Sequence, residues 1–128
     1  LTPFEAQSYL RALLAVSAAD GISVQELSYI ESQAQTLGVS VDALMIEPAA
    51  DLEALREQCS AETRRMIVRD CITLASIDSD YTEVERATVQ RISEQLGVSQ
   101  KRVEAFEEWT REYWEVVQRG EHLVRDED

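Results

Sequence analysis

Histidine, cysteine, glycine and proline are all scarce. The 128 residues include one histidine, two cysteines, four glycines and two prolines. A lone His122, close to the C-terminus, cannot build the usual mixed-ligand zinc site or the paired Glu-x-x-His motifs of di-iron bundles. It is also a poor base for a Ser-His-Asp or Cys-His device. Cys59 and Cys71 form no CxxC pair. Cys71 lies among apolar neighbours and reads as a small core residue; the pattern gives a disulfide only weak support, and a reducing cytoplasm fits better. The glycines stand singly at 21, 38, 97 and 120, which leaves no glycine-rich phosphate loop. So little glycine and proline argues against a turn-rich all-β fold. No apolar run reaches membrane-span length, and no signal-peptide pattern opens the chain. Residue 1 is Leu, which leaves room for residues upstream.

Positive charge is the other scarcity. Twelve basic residues face 25 acidic ones, a formal net charge of −13. Such a surface repels phosphate backbones, which excludes general nucleic-acid binding. Apolar residues make up 45%, too many for a disordered acidic tail. A chain of this length buries roughly two-thirds of its unfolded surface, so it folds without a metal or disulfide staple.

Helix signals fill nearly the whole chain. Thr2-Pro3-Phe4-Glu5 is a capping box with proline at the first helical position. It predicts a helix to about Ala19, with Leu10, Leu13, Leu14 and Ser17 on one face and Ala6 a turn earlier. Ser23 to Glu26 is a second box, followed by Leu27, Ile30, Ala34 and Leu37 and a stop at Gly38. Short helices are expected over 40–45 and 51–58, with a break at Pro48. Ser60 caps a long helix with Ile67, Cys71 and Leu74 inside. Thr82 to Glu85 is a third box, followed by Val89, Ile92 and Leu96 and a stop at Gly97. Ser99 caps the last helix, expected to fade near Gly120. Its stripe is Val103, Phe106, Thr110, Tyr113 and Val117, with Trp109 and Trp114 alongside, and the aromatics are read as core. The pattern predicts one all-α domain over 1–120, a compact bundle of about seven helices, and a charged, frayed tail over 121–128.

The halves echo each other. Leu37-Gly38-Val39-Ser40 returns 59 residues later as Leu96-Gly97-Val98-Ser99. At that offset Ser23 meets Thr82, Glu26 meets Glu85 and Ile30 meets Val89. The loop before the second box is one residue longer, so Asp20 pairs with Asp78 at an offset of 58. Recurring caps explain single matches but not their shared order, which predicts two pseudo-symmetric helical repeats.

Ala-Ala-Asp-Gly-Ile-Ser-Val-Gln-Glu at 18–26 resembles the Ala-Asp-Gly…Glu signature of the TerB-like domains. These domains occur in tellurite-resistance protein B and in the middle region of DjlA-type co-chaperones. The stretch from Ala75 to Glu85 and on through Leu-Gly-Val-Ser resembles the second copy, and the resemblance spans roughly 5–117. The first loop is one residue short of the usual spacing, and Ser79 stands where glycine is usual. The resemblance implies an all-helical two-repeat bundle with an acidic surface site proposed to bind metal, a stress-response setting and no established enzymatic activity.

The acidic loops are the candidate site. Asp78, Asp80, Glu83 and Glu85 place four carboxylates within eight residues, and Asp20 and Glu26 form a sparser counterpart. Carboxylates, loop carbonyls and water suit a hard divalent cation of the Ca or Mg class. The spacing is not that of an EF-hand, because Glu83 falls where that loop needs glycine and Val89 where it needs Glu. Glu26 and Glu85 also have a structural reason to be acidic, since both occupy the third position of a capping box. For these two, capping ranks ahead of metal binding. Asp20 and Asp78 precede the caps and lack that excuse. Asp80 and Glu83 are equally readable as solvated. The leading expectation is a non-enzymatic cytoplasmic module that binds a divalent cation and docks a basic protein partner. The alternative is a pure protein-interaction domain without a physiological metal. Paired carboxylates can act as acid and base, but nothing else in the chain resembles a reacting site.

Overall fold

The computed structural model describes residues 2–18, 22–42, 56–77 and 81–126. Among the described residues it is all-α and contains no strand. Among the described residues five complete helices follow in order: α1 (Pro3–Ala18), α2 (Val24–Leu37), α3 (Ala61–Ala75), α4 (Glu83–Leu96) and α5 (Gln100–Arg125). The short helices expected over 40–45 and 51–58 fall largely on 43–55, outside the described residues. Positions 56–58 are helical.

All three predicted capping boxes form. Thr2, Ser23 and Thr82 each accept from the backbone N–H three residues on, at 3.1 Å. Glu5, Glu26 and Glu85 return the bond by accepting from the cap N–H at 3.2, 3.0 and 3.1 Å. Each box satisfies two donors that a helix start otherwise leaves open. The two glycine stops are equally alike. Gly38 has φ 71° and ψ 30°, and Gly97 has φ 72° and ψ 29°. A side chain at such a φ crowds the following carbonyl by about 1–2 kcal/mol. The Val39 N–H donates to the Ala34 carbonyl and the Val98 N–H to that of Ser93, which closes both ends in the same motif.

The core is organised around α1 and α3. Helix α3 packs against α1, α2, α4 and α5. Its stripe Ile67, Cys71 and Leu74 is buried, together with Val68, Ile72 and Ala75. On α1 the arc is wider than the expected face. Leu10, Leu13, Ser17 and Ala6 are buried as read, but so are Ser8, Tyr9, Ala12 and Val16, while Leu14 is only partly covered. A helix with neighbours on several sides buries more than one stripe. Val89, Ile92 and Leu96 of α4 are buried as expected. Cys59 and Cys71 are buried free thiols. Among the described residues no helix is long and apolar enough to cross a membrane.

Polar bonds tie the layers together. The Tyr9 hydroxyl of α1 donates to Asp70 Oδ2 of α3 at 2.7 Å, and Arg69 Nε donates to Asp70 Oδ1 at 2.8 Å. Burial, reinforced by the Asp70 charge, pushes Tyr9 ionisation far above the ordinary tyrosine range. Arg69 also lies over the Trp109 ring, 6.0 Å from its centroid.

Helix α5 departs most from expectation. It does not fade at Gly120 but runs on to Arg125, so 121–125 are helical. Val103 and Thr110 are its buried residues, while Trp109 is 46% and Tyr113 44% exposed. The reading of the aromatic stripe as core is therefore corrected. Phe106 packs on the core, but Trp109 and Tyr113 lie on the side of α5 that no other described helix buries. Trp114 is half-buried, and its Nε1–H donates to Ser76 Oγ at the end of α3, 3.0 Å away.

Candidate functional site

Of the six predicted ligands, Glu26, Glu83 and Glu85 are described. Asp20, Asp78 and Asp80 lie outside the described residues. Glu83 is an exposed residue in the first turn of α4, where the helix dipole favours an acid. Glu26 and Glu85 are only 4% and 5% exposed. Both serve as the acid of a capping box, as the cap pattern predicts. Helices α2 and α4, which carry them, both pack on α1-side or α3 surfaces but do not touch each other among the described residues. No group of three or more Asp, Glu, His or Cys able to hold a metal is formed among the described residues.

The two capping glutamates differ in how their oxygens are used. Glu85 Oε1 accepts from both the Thr82 N–H and the Thr82 hydroxyl, the latter at 3.2 Å. Glu26 Oε1 accepts from the Ser23 N–H, whereas Glu26 Oε2 is buried and accepts no hydrogen bond among the described residues. A buried carboxylate oxygen without a donor costs about 1–3 kcal/mol or more. A cation, a water or a proton would relieve it. Glu26 thus has the donor chemistry of a hard-cation ligand in addition to its cap.

Sequence reasoning did not anticipate a groove of about 510 Å³ between α3, the start of α4 and α5. Tyr81, the residue after Asp80, lines it with Ser76, Arg86, Glu107, Thr110 and Trp114. The Arg86 guanidinium lies 5.1 Å from the centre of the Tyr81 ring and its Nε 3.8 Å from Glu107 Oε2. Burial, with the Glu107 charge, pushes Tyr81 ionisation well above its ordinary range. Glu104, Glu108 and Glu115 also line the groove, and Arg111 pairs with Glu108. Thr110 is 1% exposed, and its hydroxyl has no hydrogen-bond partner. The available signal was Trp114 among glutamates on α5, which helical spacing assigns to the core.

A capped helical bundle with a carboxylate-lined edge is the class that these features define. Residues 49–108 match the family model described as tellurite resistance protein TerB. The first signature, at 18–26, lies outside that matched stretch. The fold is that of a tellurite resistance protein from Nostoc punctiforme, whose crystal structure superposes with a TM-score of 0.74 at 20% sequence identity. The superposition covers 100% of this chain and 84% of that one. No curated protein sequence matches significantly.

Proposed function

We propose that this chain is a non-enzymatic, cytoplasmic TerB-like module of a tellurite or related stress response. It binds a divalent cation of the Ca or Mg class and docks a basic protein partner. The cation ligands in this reading are Asp20, Glu26, Asp78, Asp80, Glu83 and Glu85, drawn from two pseudo-symmetric repeats of a domain spanning 1–120. The observation that carries it is Glu26 Oε2, a buried carboxylate oxygen that accepts no hydrogen bond among the described residues. Matching caps at Ser23 and Thr82 and matching stops at Gly38 and Gly97 support the repeat. For the partner, the groove beside Tyr81 supplies the Trp114 indole next to several glutamates, while the Tyr81 ring is already met by Arg86. That combination suits a lysine or arginine side chain through charge and cation–π attraction. The tellurite link rests on the family description alone.

Thermal melting with added Ca²⁺ or Mg²⁺ tests the metal. A ligand that binds only the folded state raises stability by RT ln(1 + [L]/Kd), about 2.7 kcal/mol at a hundredfold excess over Kd. Asp20→Asn with Asp78→Asn should shrink the rise in melting temperature. No rise over a monovalent control of equal ionic strength sinks the metal and leaves the pure interaction domain. Equal rises in parent and variant mean diffuse screening of the −13 charge.

A further inference from the structure

Arginines gather at one place on this acidic protein. Arg64 and Arg65 follow the Ser60 cap of α3, and Arg102 follows the Ser99 cap of α5. Two adjoining depressions share Arg65 and Arg102. The smaller, about 260 Å³, is completed by Arg64, Ala61 and Ser99, so the N-termini of α3 and α5 both open onto it. The larger, about 540 Å³, adds Arg69, Met66 and Phe106. Gly97 also lines the smaller depression, and the Arg56 guanidinium packs over it. A Cβ at Gly97 would lie 2.7 Å from Arg56 Nε.

What sets these arginines apart is that they adjoin one another across two helix starts. Arg69 pairs with Asp70. Arg64, Arg65 and Arg102 form no ion pair among the described residues, an absence shared with Arg91, Lys101 and Arg119. Arg64 Nη1 donates to the Leu96 carbonyl at 2.9 Å, while its Nε is buried without a partner. Arg65 Nε donates to the Ala61 carbonyl at 3.1 Å, which leaves its two terminal nitrogens uncommitted. Among the described residues Glu62 is the one acid lining either depression.

We infer that this patch is a binding site for a small organic phosphate monoester. The phosphate sits in the smaller depression between Arg65 and Arg102, and the organic part lies on Met66 and Phe106 in the larger. Planar guanidinium forks match phosphate oxygens, and two helix N-termini add positive potential at the same spot. A dianion gains most from such a set. A long polyanion does not fit, because the rest of the surface is acidic and repels it. The site involves none of the carboxylates assigned to the cation, so it stands apart from that proposal.

Calorimetric titration of the full chain with phenyl phosphate tests it, with inorganic phosphate and sodium chloride as comparisons at equal ionic strength. The parent should bind phenyl phosphate saturably and at least several-fold more tightly than inorganic phosphate. Arg65→Gln with Arg102→Gln should weaken binding at least tenfold. Arg111→Gln, in the groove on the other side of α5, should leave it unchanged. Should the double variant misfold, Arg102→Gln alone removes an exposed side chain and should still weaken binding several-fold. Absence of saturable binding overturns the site, as does an unchanged Kd in the Arg102 variant. Equal affinity for phenyl and inorganic phosphate overturns the organic part.

Discussion

Glu26 carries two demands on one carboxylate. Its Oε1 holds the Ser23 N–H and completes the cap, while Oε2 is buried without a donor among the described residues. The first demand is met by any side-chain carbonyl or carboxylate oxygen, the second only by a proton, water or cation. Glu26→Gln should therefore leave metal-free stability within about 1 kcal/mol, because glutamine keeps the cap bond and removes a buried charge. Glu26→Ala should cost about 1 kcal/mol or more, since the Ser23 N–H loses its acceptor. Denaturant melts of the two variants separate these outcomes. A glutamine variant as destabilised as the alanine variant would show that the charge itself holds the cap.

At the scale of the helix, α5 is the exception. Its 26 residues are held by Val103 and Thr110, with Phe106 packed on the core and Trp114 bonded to Ser76. Past Gln118 nothing is buried, and Leu123 and Val124 are 78% and 86% exposed. The Glu121–Arg125 pair at 4.0 Å is an exposed helical contact worth a few tenths of a kcal/mol. Deleting 119–128 should shift unfolding stability by less than about 0.5 kcal/mol, because surface changes away from packed features rarely do more. It should also lower helical circular dichroism in proportion to the residues removed. A loss of 2 kcal/mol or more would mean that the end of α5 is packed against something in solution.

Across the whole molecule, buried tyrosines link stability to pH. Burial raises the pKa of Tyr9, Tyr29 and Tyr81, with Tyr29 pushed up to about 12. Their folded values lie above the unfolded one near 10, so their contribution is complete below about pH 10 and is lost as pH climbs through the folded values. For Tyr9, 2% exposed, the slope is up to about 1.4 kcal/mol per pH unit above pH 10. Unfolding should appear between about pH 10 and 12, with phenolate absorbance rising in step with loss of helix. Tyr9→Phe should flatten the slope while giving up the bond to Asp70. Phenolate appearing near pH 10 with the helix signal intact would show that these rings titrate in the folded state.

The helices and their limits were legible because their causes are local. A cap and its acid lie three residues apart, and a glycine stop needs only its own φ, so Thr2, Ser23, Thr82, Gly38 and Gly97 all behave as their neighbours dictate. The inner stripes of α3 and α4 follow from 3.6-residue spacing alone. Periodicity marks which face is apolar but not whether a partner covers it, so the spacing predicts Trp109 and Tyr113 as core although no other described helix buries their side of α5. It equally marks no place where separate helices meet. Arg64 and Arg65 lie 37 or more residues from Arg102 in sequence, and Tyr81 lies 33 from Trp114. Each of these groups adjoins only after α3, α4 and α5 have packed. Side-chain contacts within one helical turn are set by the chain's own geometry, whereas those between helices depend on the docking of entire apolar faces, which tertiary structure alone decides.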